Sequence, residues 1–141
     1  MKLKIIATIF SILPLAIKLG CTLLPGTSEP ATKLLGNWGG MHVALVIEND
    51  SATLEYDCGR GTIDEPIRLD RDGKFEARGV HIYEHGGPVR ENEKPEMHPA
   101  NYFGNVAGEV MTLTVKLSDT GDALGTFELK LGQVPRLFKC L

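Results

Sequence analysis

Hydrophobic and polar residues alternate with a period of two along most of the chain after Gly36, and turn-forming residues interrupt the alternation at short intervals. Met41, Val43, Leu45 and Ile47 share one face of a first strand, and Asn49-Asp50 then turns the chain. Ala52, Leu54, Tyr56 and Cys58 define a second strand, closed by Gly59-Arg60-Gly61. A third run covers 63–69 and ends at the Asp-Arg-Asp-Gly turn of 70–73, where glycine most easily takes a positive φ. Phe75 and Ala77 begin a fourth run that reaches Tyr83. Val80 and Ile82 are out of phase with them, and the glycine of Arg78-Gly79 at the slip predicts a β-bulge there. Runs at 100–106 and 111–117 precede a turn at 119–122, Phe127, Leu129 and Leu131 mark a seventh strand, and 134–140 an eighth.

Eight short strands joined mostly by tight turns predict an all-β fold, a single antiparallel eight-stranded up-and-down barrel, because closure removes the edges that invite pairing with other chains. A β-sandwich is the alternative. Leu45, Leu54, Tyr56, Phe75, Leu113, Phe127 and Leu129 are the expected interior residues. They are large, and a barrel of about eight strands leaves room for side chains or one small ligand, so a filled core is expected.

The beginning of the sequence follows a different pattern. Lys2 and Lys4 precede an uncharged apolar stretch at 5–17, which Lys18 ends, and this is the layout of a secretory signal helix too short to span a bilayer. Leu19, Gly20 and Cys21 resemble the end of a bacterial lipoprotein signal, with Lys18 where an aliphatic residue is usual. That resemblance implies lipidation of Cys21 and anchorage in the cell envelope; a soluble periplasmic or secreted protein is the alternative. Pro25, Gly26, Ser28 and Pro30 then suit a flexible tether, so the expected organisation is a signal peptide at 1–20, a tether at 21–36 and the barrel domain at 37–141.

Charge changes the picture once the leader is set aside. Over all 141 residues, 15 basic side chains face 18 acidic ones, but Lys2, Lys4 and Lys18 belong to residues 1–20, leaving 12 against 18. An acidic module of this kind lacks the basic stripe that binds phosphates, so no nucleic-acid partner is expected. Three cysteines in an exported protein leave one over if a disulfide forms. Lipidation accounts for Cys21, and Cys58 and Cys140 then pair. In a simple meander both emerge at one end, where the bridge crosses beneath the start of the first strand.

Gly36-Asn37-Trp38, just ahead of that strand, resembles the opening of lipocalin and avidin-type (calycin) barrels. The resemblance implies that Trp38 is a structural plug at the closed end, with Arg136 of the last strand over it. Tyr56-Asp57-Cys58 followed by glycine, together with Cys140, is similar to periplasmic lysozyme-inhibitor lipoproteins, which implies a structural Cys58–Cys140 pair.

Candidate chemistry concentrates in the one long connection, 85–99, which the meander places at the end holding Trp38 and the disulfide. Long loops in compact domains are often functional, so His85, Arg90, Glu93 and His98 are the candidate interaction residues. His81, Tyr83 and His85 fall on one strand face near His98, the only arrangement suggestive of metal ligands. Its spacing matches no established metal motif, and neither a metal nor another cofactor is expected. Nucleophile elbows, zinc-protease motifs and phosphate loops are absent from the sequence, so no catalytic residues are assigned and no enzyme is expected. The expected role is that of an exported, lipid-anchored binding or protein-interaction module. Its partners would be the membrane through its lipid, and an unidentified protein or small apolar ligand. The alternatives are a small-molecule carrier with an apolar barrel interior, and an inhibitor of a secreted hydrolase such as lysozyme.

Overall fold

The computed structural model describes residues 31–140. The expected signal helix, Cys21 and most of the tether lie outside the described residues. The described residues are all-β, with ten strands in order: β1 (Thr32–Lys33), β2 (Gly36–Gly40), β3 (Val43–Ile47), β4 (Ala52–Tyr56), β5 (Gly59–Ile63), β6 (Arg68–Leu69), β7 (Lys74–Tyr83), β8 (Glu96–Ala107), β9 (Val110–Leu117) and β10 (Ala123–Leu131). Eight of them close an antiparallel up-and-down barrel in the order β10-β2-β3-β4-β5-β7-β8-β9. The short β1 and β6 pair separately. Leu34 beside them donates its N–H to the Ile67 carbonyl, and both side chains are buried. The fold thus takes in Thr32 to Gly36, which the sequence had suggested as tether.

The expected strand number is correct, but two of the expected strands are not barrel strands. His42, at φ 69°, reverses the chain, so that Met41 drops out of the first predicted run, which becomes β3, and the residues ahead of it, Gly36–Gly40, form a barrel strand of their own, β2. Histidine is among the few side chains enriched in that conformation. In compensation, 134–140 forms no strand. It makes a single parallel bridge, Met41 to Arg136, and otherwise runs as an extended strap. The third predicted run, 63–69, is likewise not a barrel strand; Gly59–Ile63 takes its place in the barrel, because Pro66 lacks the N–H a ladder needs. The chain loops out after Ile63, and Glu65 Oε1 accepts the Arg78 N–H at 2.7 Å where β5 no longer runs beside β7.

The predicted bulge at Arg78-Gly79 is absent, since β7 pairs with β8 without interruption from Lys74↔Asn105 to Tyr83↔Glu96. Phe75, Ala77 and His81 all point inward, and it is Val80 and Ile82 that face away. The register shift occurs instead in β10, between Ala123 and Gly125, where Leu124 is the extra residue.

The interior is filled. Val43, Leu45, Leu54, Tyr102, Met111, Leu113, Val115 and Leu129 are almost completely buried. Leu45, Leu54, Tyr56, Phe75, Leu113 and Leu129 therefore occupy the core as expected, with Phe127 half-buried against it. Small residues make room for the large rings. A Cβ on Gly104 would lie 1.9 Å from Phe75 Cε1, and one on Gly61 would lie 2.4 Å from Tyr102 Oη. Tyr102 donates its hydroxyl proton to the Val80 carbonyl at 2.9 Å, and burial pushes its phenol up to about 12.

Trp38 is 3% exposed, mid-strand in β2, paired with Leu45 and Leu131. The reversal at His42 carries it away from the disulfide end, where the meander had placed it. Arg136 does not belong to a last strand. Its backbone is docked on the end of β2, with its N–H donated to Gly40 and its carbonyl accepting from His42, and its side chain is exposed. The strap 132–140 lies across Gly39 on the side opposite Trp38, where a Cβ would meet the Gln133 carbonyl oxygen at 2.0 Å. Only glycine lets two backbones approach that closely.

Candidate functional site at the disulfide end

The chain reverses four times at one end of the barrel: at Met41-His42, at Asp57-Cys58, through the connection 84–95, and at 118–122. Cys58 and Cys140 are joined there by a disulfide, with their Cα atoms 5.3 Å apart. The bridge does not cross beneath a strand of the wall. The strap brings Cys140 alongside the β4–β5 turn, where Cys140 N–H donates to the Asp57 carbonyl and Lys139 Nζ to the Tyr56 carbonyl.

All four histidines of the chain, His42, His81, His85 and His98, gather at this end, a convergence the sequence suggests for His81, His85 and His98 and gives no sign of for His42. Three are paired with carboxylates. His42 Nδ1 lies 2.5 Å from Asp57 Oδ2. His85 Nε2 contacts the Glu93 carboxylate, and its Nδ1 lies 2.9 Å from the Gly86 carbonyl. His98 Nδ1 and Nε2 lie 2.7 Å from Asp119 and 3.2 Å from Glu96. In His85 and His98 both ring nitrogens face acceptors, which favours the imidazolium. The Gly86 carbonyl and then Glu93 raise His85, while Asp119 and then Glu96 raise His98.

His81 is the opposite case. It is 4% exposed, inside the rim, and neither ring nitrogen has a partner among the described residues. Burial first, and the nearby His98 second, hold its basicity below the ordinary histidine value, so its imidazole stays neutral. Tyr83 stands edge-on against both rings, with centroids 4.6 Å from His81 and 5.6 Å from His98. Tyr56 packs on the inner side of His81 at 5.3 Å, its hydroxyl buried.

The four candidate interaction residues divide into two groups. His85, Arg90 and Glu93 form a latch within the loop: Glu93 carboxylate accepts the Arg90 N–H at 3.0 Å as well as contacting His85, and Arg90 carbonyl accepts the Glu93 N–H at 3.0 Å. These contacts hold Glu93 below its usual range, the Arg90 N–H first and His85 second. His98 stands apart, on β8 with Asp119. Val89 projects from the latched loop, 74% exposed. Among the described residues no three His, Cys, Asp or Glu side chains converge to hold a metal ion; His85 and His98 are engaged by different carboxylates, Glu93 and Asp119, and the His81 ring nitrogens by none.

Three cavities open at this end and share Tyr83 as a wall. One of about 490 Å³ lies beneath the loop, against Arg60, Ile82, Val89 and Pro95. A second of about 300 Å³ lies beside His98 and Leu117. The third, about 240 Å³, is the mouth of the barrel itself, above Tyr56, His81 and Phe127. Asp57, His42 and Tyr56 were not singled out by the sequence as site residues, because their association depends on turns that bring positions 15 to 83 residues apart together. This combination of an aromatic and imidazole mouth beside a latched loop can recognise a ligand by shape and hydrogen bonding. Compared with known protein families, with curated proteins and with solved structures, the chain matches none.

Proposed function

We propose that this protein is a non-enzymatic binding module of the bacterial cell envelope, exported, held to a membrane through a lipid on Cys21, and working through the disulfide end of its barrel. The single observation that supports this most is the contrast between the two parts of the fold. The centre is packed with Leu45, Leu54, Tyr102 and Leu113, whereas the latched loop, the four histidines and three cavities crowd one end. A filled centre favours a protein-interaction module over a carrier that encloses its ligand within the barrel. A loop fastened by its own internal contacts and carrying an exposed apolar residue such as Val89 is suited to anchor a partner. The acidic balance of the chain beyond residue 20, 12 basic against 18 acidic side chains, would also steer a basic partner, and a secreted hydrolase of the lysozyme type is one such candidate.

Affinity capture from envelope extract tests the reading, with the intact protein and a Val89→Asp, Arg90→Ala variant as baits. A protein retained by the first and lost by the second supports it; identical captured sets from both baits reject it. If lysozyme-type hydrolases are neither bound nor slowed, the inhibitor reading is excluded. Cys21→Ser should move the protein from the membrane fraction to the soluble fraction and abolish the added lipid mass; an unchanged distribution rejects the lipid anchor.

A further inference from the structure

We propose that the barrel mouth is a binding site for one aromatic ring bearing a single hydroxyl group, a ligand of the small-phenol class. The inference goes beyond the interaction role above and rests on the barrel mouth, not on the latched loop through which that role is tested. Size comes first. The mouth cavity is about 240 Å³, and a dry engineered cavity of about 150 Å³ suffices for benzene. One ring with a hydroxyl and a small alkyl group fits; a longer chain cannot pass, because Leu54 and Tyr102 fill the barrel below.

The walls are apolar and aromatic. Phe127 packs against Tyr56 with centroids 5.6 Å apart, an arrangement that accepts a further ring in edge or offset contact. Leu124 completes the wall, and it is the extra residue of the β10 bulge. Bulges redirect side chains at functional sites.

Polar recognition falls to His81. It lines the mouth, is 4% exposed, and has two ring nitrogens without a partner among the described residues. Buried polar groups are ordinarily paired. A neutral imidazole offers one N–H and one bare nitrogen, and a hydroxyl, which both donates and accepts, complements either. A charged ligand is disfavoured, since Asp57 in the lining is already engaged by His42 and by the Phe138 N–H, and an ion beside neutral His81 would be desolvated without a counter-charge.

A free phenol and a tyrosine side chain of a protein share this chemistry, and the test separates them. The full-length protein in detergent is titrated with 4-methylphenol, toluene and N-acetyl-tyrosinamide while the His81 ring resonances are followed by NMR. Saturable shifts with 4-methylphenol, with toluene at least about tenfold weaker, are expected from the loss of one hydrogen bond. Tyrosinamide binding comparable to 4-methylphenol assigns the ring to a protein partner, and binding of the free phenol alone assigns it to a small molecule. His81→Phe, followed through the Tyr56 and Phe127 ring resonances, should weaken 4-methylphenol binding about tenfold or more. Leu124→Trp, at the half-buried rim, should block the site in a folded protein and decides the matter if the His81 variant does not fold. The Val89→Asp, Arg90→Ala variant should bind 4-methylphenol normally, so failure of the loop reading and failure of this one remain distinct. Absence of saturation by either phenol below about 10 mM, equal binding of toluene, or unchanged binding by Leu124→Trp overturns the proposal.

Discussion

Asp57 fastens Phe138 from 81 residues away: its Oδ1 accepts the Phe138 backbone N–H at 2.8 Å, while Oδ2 lies 2.5 Å from His42 Nδ1. The two contacts, the Phe138 N–H foremost, hold the Asp57 carboxyl below its ordinary range. A carboxylate with a lowered value stabilises the fold above its unfolded value of 3.8 and loses that contribution as pH falls through its folded value. Asp57→Ala should therefore speed hydrogen exchange at the Phe138 amide about tenfold at neutral pH, with little change at Leu113 in the core. Wild-type protein should lose the same protection on acidification. Equal exchange in wild type and variant would remove Asp57 as the fastening.

The disulfide closes a loop of 82 residues. Chain entropy assigns such a crosslink about 4 kcal/mol. Cys58→Ser with Cys140→Ser should lower the stability measured by urea denaturation by roughly that amount, without loss of the barrel's far-ultraviolet spectrum. A loss below about 1 kcal/mol would mean that Asp57 and Lys139 hold the strap well enough in the unbridged protein.

Gly104 is a test of how tightly the interior is packed. A methyl group there collides with the Phe75 ring, and overpacking of this kind costs about 1–3 kcal/mol. Gly104→Ala should destabilise by that much, and Phe75→Leu in the same chain should recover part of it, since the two residues share one volume. Additive losses in the double variant would show that the ring does not occupy the Gly104 hollow.

His81 and His98, on either side of Tyr83, are shifted in opposite directions from the ordinary histidine value. His98, raised by Asp119 and Glu96, stabilises the fold below its unfolded value of 6.5, and this contribution is lost as pH rises through its higher folded value. His81, lowered by burial, favours the fold above 6.5 and penalises it as pH falls below that value. His81→Phe should flatten the decline of melting temperature below pH 6.5, and Asp119→Asn should bring the His98 titration, read by NMR, back toward 6.5. A His81 ring that titrates at or above 6.5 would contradict its burial as a neutral group.

The period-two pattern made the barrel legible, because alternation reports a sheet with one dry face whatever its neighbours are. It does not report which of two faces is dry when both carry apolar residues. Val80 and Ile82 therefore suggested a bulge in β7, although Gly79 and His81 are the residues that point toward Tyr102 and the mouth. The reversal at His42 was hidden for a related reason: Met41 continues the alternation of Val43 and Leu45, so nothing in the pattern marks a turn inside the run. Cys58 with Cys140 was legible by counting. The pairing of His42 with Asp57 and of His98 with Asp119 was not, because strand order and turn geometry set those meetings, and the intervening sequence carries no trace of them.

The seam of the barrel is its shortest ladder: β10 meets β2 only through Leu129↔Gly40, Lys130↔Gly39 and Leu131↔Trp38. The strap that covers Gly39 runs on from this seam to Cys140. Oxidation at Cys58 is thus a record of completed assembly. A chain halted before Leu129 lacks the residues that close the seam, and one halted anywhere before Cys140 leaves Cys58 without its partner, so the state of the Cys58 sulfur reports whether the strap is complete.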